Sequence, residues 1–148
     1  MKYLYFTISI LITSALILND RSKGFQVEER NQYVASRMNY TVDLVGNLEF
    51  KDCDEMQAYF RYISNKIGCV LIIDDHQIRM GNRVLMGETS GDTIWLYASL
   101  CSGQFVNTFF HEVGHVLLHY DGIKRTRHVK EEEAILFADS VVSILINQ

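Results

Sequence analysis

The sequence predicts an α+β domain in which a small sheet lies between two pairs of helices. Three observations predict it. Apolar residues recur at helical spacing toward both ends of the chain, short apolar runs bounded by turn residues occupy the middle, and none of the 148 residues is proline. Composition fits one ordinary globular domain, at 48% hydrophobic and 22% charged.

Residues 1–20 form a hydrophobic N-terminal segment, and one domain is expected over residues 21–148. Tyr3 to Leu18 is an uncharged run of sixteen residues. A membrane span needs about 20, so the run suits the core of a signal peptide better, with Thr13-Ser14-Ala15 as a small-residue cleavage site. A membrane anchor and a packed helix are the alternatives. Lys2 on one side and Arg21 and Lys23 on the other leave orientation unread.

Residues 19–26 read as a polar linker, and Val27 to Leu44 as a helix with Val34 and Met38 on its apolar side. Asp52 followed by Glu55 is a capping box that opens a second helix, which closes at Gly68. Met56, Tyr59, Phe60 and Ile63 are its expected buried face. Cys69 to Ile73 is a continuous apolar run, expected as a central strand. Gln77 to Met80 and Arg83 to Met86 flank Gly81-Asn82, a hairpin signal. Thr93 to Ala98 is the next strand, after the Ser90-Gly91-Asp92 turn, and is expected to offer an exposed edge. The sheet should be short and mixed or antiparallel. Ser102-Gly103 then breaks the chain before a long apolar helix.

Charge excludes one class of function. Lys and Arg total 14 against 18 Asp and Glu, a net −4 with no basic tract, so nucleic-acid binding is not expected. Cys53, Cys69 and Cys101 are odd in number and widely spaced, which argues against a cysteine metal site or a disulfide framework.

The third helix carries the chemistry. In His111-Glu112-Val113-Gly114-His115 the four-residue step stacks both imidazoles on one face, where they can grip a single Zn²⁺. Glu112 lies about 100° round the helix, so it can take a proton from a zinc-activated water without being a ligand. Val106, Phe109, Phe110, Val113, Val116, Leu117 and Leu118 give this segment its apolar face. Gly114 costs about 1 kcal/mol of helix propensity, which close packing of a neighbouring element would explain.

Catalytic zinc usually takes a third protein ligand. Asp121 sits where a metzincin's third ligand belongs, but Leu118 replaces the required glycine and no methionine follows residue 86. A second helix opening at Glu131 is the better source. Its stripe of Ala134, Phe137, Ala138, Val141, Val142 and Leu145 puts Glu131 at one edge, Glu133 at the opposite margin and Glu132 outside. Glu131 is therefore the expected ligand and Glu133 the reserve. His119, one turn beyond His115, is expected to support or pack rather than ligate. His119, Tyr120 and His128 are unranked candidates for a donor to the substrate oxyanion.

Here the chain resembles a known family, the ImmA/IrrE-type zinc metallopeptidases of the gluzincin kind. Ile63 to Val70 looks like that family's helix-glycine-strand step, and Asp92 to Tyr97 like its strand before the active helix. Phe109 to His119 and Glu131 to Ala138 resemble its two ligand helices. The resemblance implies a zincin-like domain, zinc ligands at His111, His115 and Glu131, and Glu112 as general base. It also implies protein substrates, in several members a helix-turn-helix repressor.

The expected function is a zinc-dependent peptidase of narrow regulatory specificity. The alternatives are a membrane-attached quality-control peptidase and a non-catalytic module braced by zinc. Membrane association or export is expected if residues 3–18 act as a targeting segment, and a cytoplasmic location otherwise.

Overall fold

Two of the helices start where local capping chemistry dictates. The computed structural model describes residues 28–46, 48–74, 78–80, 83–97, 103–119 and 124–147. It divides into two compact units, Met1–Ser36 and Arg37–Gln148. The hydrophobic segment at Tyr3 to Leu18 lies outside the described residues. Among those described, no helix is long and apolar enough to cross a membrane.

Helix α1 covers residues 28–45, as the apolar spacing predicts. Within the larger unit its end is tied down by α2 (Cys53–Ile67), where the Tyr59 hydroxyl donates to the Val45 carbonyl. Asp52 caps α2 by accepting from the Glu55 amide at 2.8 Å, and the Glu55 carboxylate reaches back to the Lys51 amide at 2.7 Å. Gly68 ends the helix at φ +88°, a left-handed backbone that a side chain would strain. Its amide returns to the Ser64 and Asn65 carbonyls.

Five short strands follow: β1 (Val70–Asp74), β2 (Ile78–Met80), β3 (Arg83–Leu85), β4 (Gly87–Ser90) and β5 (Thr93–Tyr97). β2 and β3 form the expected antiparallel hairpin. The other three form a mixed sheet in the order β1-β5-β4, with β5 parallel to β1 and antiparallel to β4.

Two expectations about this sheet are corrected. The apolar run expected as the central strand is an outer one, with Val70 52% and Ile72 38% exposed. β-branched content favours a strand without saying which edge it occupies. The strand expected to be an edge, over Thr93 to Ala98, is instead central as far as it is described, with Ile94 and Leu96 fully buried. It gains its second neighbour from β4, whose Gly-Glu-Thr-Ser sequence carries no strand signature.

Helix α3 (Gly103–His119) and helix α4 (Arg127–Ile146) complete the element order. Phe60 of α2 stacks on Phe109 at 4.2 Å between ring centroids and on Phe105 at 5.8 Å. All three rings are fully buried. Truncating one such ring to alanine typically costs about 3–5 kcal/mol, so this cluster seats α3 firmly. Ala134, Phe137, Ala138, Val141 and Leu145 are the buried stripe of α4, while Val142 is only half-buried. Gly114 explains itself here. A Cβ on it would lie 3.2 Å from Ala134 Cα and from the Phe137 ring, so the glycine lets the two helices approach.

α4 starts earlier than expected. Thr126 caps it by accepting from the Val129 amide at 3.4 Å, which puts Glu131 to Glu133 in the second turn. The dipole at a helix start acts within its first turn, so it does not account for these three acids. The cysteines are also corrected in part. Cys69 is free and buried as expected, but Cys53 is disulfide-bonded.

Candidate metal centre

The four-residue step on α3 brings the His111 and His115 Nε2 atoms to 3.1 Å from each other. α4 crosses close beside them because Gly114 yields to Ala134, and it delivers Glu131. Its Oε2 lies 3.4 Å from His111 Nε2 and 3.6 Å from His115 Nε2. Donors about 2.0–2.1 Å from a tetrahedral zinc ion stand about 3.3 Å apart. The three observed separations straddle that edge length, so the residues fit a zinc ion. Among the described residues this is the one group of histidine, cysteine or acidic side chains clustered tightly enough to hold a metal.

Electrostatics keep the imidazoles available as ligands. Burial lowers the pKa of His111, against the attraction of Glu131. Burial and then the neighbouring His111 push His115 down to about 4. Both rings are therefore neutral near pH 7, the form in which a ring nitrogen offers a lone pair.

The Glu112 side chain reaches Thr89 of β4, and only 5% of the residue is exposed. Its Oε2 accepts a 2.6 Å hydrogen bond from the Thr89 hydroxyl, which also lies 3.3 Å from the Glu112 carbonyl. Burial lifts the carboxyl to about 7, Thr89 pulling the other way and Glu131 and Glu88 adding to the rise. A carboxylate poised near the working pH is suited to exchanging protons. Gly87 makes its room: a Cβ there would come within 2.8 Å of Glu112 Oε1 and 2.9 Å of Thr108 Cγ2. Thr89 and Gly87 escape sequence reasoning, because a two-residue gap in a polar strand carries no recognisable pattern.

The other candidates are placed elsewhere. Glu133, the reserve ligand, accepts from His119 Nε2 at 3.0 Å and pairs with Arg125 at 3.4 Å. His119 Nδ1 in turn faces His115 Nδ1 at 3.0 Å. Glu132 and His128 form an exposed pair at 3.2 Å, away from the triad. Tyr120 and Asp121 lie outside the described residues.

A cavity of about 770 Å³ opens over the triad, with β4 along one wall and the start of α4 along another. His111, Glu112, His115 and Glu131 all line it. The arrangement provides three convergent donors, a nearby buried carboxylate and space for a ligand. Comparison of this chain with protein-family models, with curated proteins and with solved structures found no match.

Proposed function

We propose that this chain is a zinc-dependent peptidase. One observation supports the reading above the rest. Two neutral imidazoles and a carboxylate stand at tetrahedral-edge distances, with a second carboxylate beside them that is not part of the triad. A site that merely braces a fold has no use for that fourth group.

Zinc, when bound there, supplies a Lewis acid and a water acidified to about pKa 7. The protein does the rest. His111 and His115 give lone pairs, and Glu131 contributes one negative charge, so the centre stays electrophilic. Glu112, turned by Thr89, accepts the proton of the attacking water and returns it to the leaving amine nitrogen. The outer strand β4, rather than β5, borders the cavity and offers a backbone edge to an extended peptide. The disulfide at Cys53 accords with an oxidising compartment, and so with the export reading of Tyr3 to Leu18.

The decisive experiment compares Glu112→Gln with the parent in zinc content and in cleavage of a peptide library. The variant is expected to bind zinc as the parent does and to lose hydrolysis by about three orders of magnitude or more. Equal cleavage by both would remove Glu112 as the base. A parent that binds no zinc would remove the reading itself. Intact mass before and after reduction would report cleavage of the N-terminal segment and the disulfide together.

A further inference from the structure

We infer that His119 and Glu133 are positioning residues, forming with Arg125 a relay that fixes the tautomer of His115 and aims its Nε2 lone pair into the triad. The inference rests on the metal-centre reading above, and on hydrogen-bond polarity along one chain of atoms. Arg125 Nε can only donate, and it lies 3.4 Å from Glu133 Oε2. An ionised carboxylate can only accept, so His119 Nε2, at 3.0 Å from the same oxygen, must carry a proton. A neutral imidazole has one N–H, so His119 Nδ1 is then an acceptor. The atom facing it at 3.0 Å is His115 Nδ1, which must therefore be the donor. That leaves His115 Nε2 bare, and this is the nitrogen that faces His111 Nε2 and Glu131.

From Arg125 to His115 Nδ1 one arrangement of protons fits these three contacts, and it is the one a ligand needs. The relay is also sheltered, with the His119 and Arg125 side chains only 6% and 8% exposed. Reversing the polarity at Glu133 would put a proton on His115 Nε2 and close that lone pair to an ion. Groups that orient a metal-binding histidine in this way are typically worth about 10–100-fold in affinity.

The test reads tautomers directly. Long-range proton–nitrogen NMR of the metal-free parent is expected to show His115 protonated on Nδ1 and His119 on Nε2. Zinc affinity, measured against a competing chelator, is expected to fall about 10–100-fold in Glu133→Ala. Glu133→Gln, which still presents a carbonyl oxygen, is expected to recover most of that loss. His119→Phe should match Glu133→Ala, and the Glu133 pair decides the matter if that ring replacement does not fold.

A parent with its His115 proton on Nε2 would overturn the relay. So would a folded Glu133→Ala within about twofold of parental affinity. The peptidase reading fails separately, through a parent with the expected tautomers that cleaves no peptide.

Discussion

The two walls of the cavity are built by different means. On one side α3 and α4 meet through a close apolar seam, where Gly114 accepts Ala134 and Phe137 and the side chains of His111, His115 and Glu131 emerge at the rim. On the other side the Thr89 hydroxyl of β4 meets Glu112 of α3, over a gap that Gly87 keeps open. The helical wall sets where three donors converge, and its precision comes from apolar packing across many residues. The strand wall sets the direction of one carboxylate, and its precision comes from a hydroxyl and a missing methyl. Disturbing the first should cost metal binding and fold together. Disturbing the second should cost hydrolysis alone.

The sharpest way to break the helical wall is Gly114→Leu. The first added carbon already presses on the Ala134 backbone at 3.2 Å, and three more have no space. Overpacking of this kind costs about 1–3 kcal/mol, and the separation of α4 from α3 should abolish tight zinc binding. Calorimetric titration and thermal unfolding would read both losses. Gly114→Ala is the finer probe. Its gain of about 1 kcal/mol in helix propensity should offset much of the steric cost in stability while zinc affinity still drops. If both variants bind zinc like the parent, the seam does not position the ligands.

The buried carboxylate gives the next largest effect, on the metal-free protein. Glu112 titrates near 4.5 when unfolded and is raised to about 7 by burial when folded. The unfolded state therefore releases this proton first as pH rises. The contribution of Glu112 to stability is fully present below about pH 4.5 and is lost by about pH 7, with an upper limit of about 3 kcal/mol. The buried histidines push the parent's profile the other way over the same window, His115 between 6.5 and about 4, so the decline is read as the difference in denaturant stability between the parent and Glu112→Gln. A parent and variant with parallel pH profiles would place Glu112 in a wetter setting than its burial indicates.

The same contrast explains what the sequence discloses. His111, His115 and Glu131 were legible because a helix converts spacing into direction. Two apolar stripes fixed which faces of α3 and α4 meet, and hence that Glu132 points away while Glu131 and Glu133 both face α3, Glu131 at the two histidines and Glu133 at His119. The Asp52 and Gly68 ends of α2 were legible because capping is a local chemistry. The sheet order was not. Which strand lies outside depends on pairing between distant segments, and β4, with its sequence Gly87-Glu88-Thr89-Ser90, forms only because β5 offers it a partner edge. The relay through His119 was half legible, since its turn on the helix was evident but its partners on a second helix were not.

Gly87→Ala attacks the strand wall through sterics. The added methyl would lie within 3 Å of the Glu112 side chain and Thr108, so Glu112 has to swing aside. Misplacing a reacting group by about 1 Å commonly costs about 10²-fold in rate, and kcat should fall by that order with zinc affinity nearly unchanged. A fall in zinc affinity of the same size would show that β4 supports the ligands as well.

Thr89→Val removes the hydroxyl and keeps the shape, so it isolates the hydroxyl's bond to the Glu112 side chain. That bond reaches a carboxylate at 2.6 Å and is part-buried, and bonds to charged groups are worth about 1.5–3 kcal/mol. Only part of this should appear in the rate, because Glu112 stays confined by Gly87 and α3 even when it is no longer held. About a tenfold loss in kcat is expected, with zinc content and KM unchanged. Thr89→Ser should restore most of it, since the hydroxyl returns without the methyl. The serine variant carries the comparison: a Thr89→Ser protein as slow as Thr89→Val would mean that β4 acts through the shape of its methyl group, and that the polar contact with Glu112 is incidental.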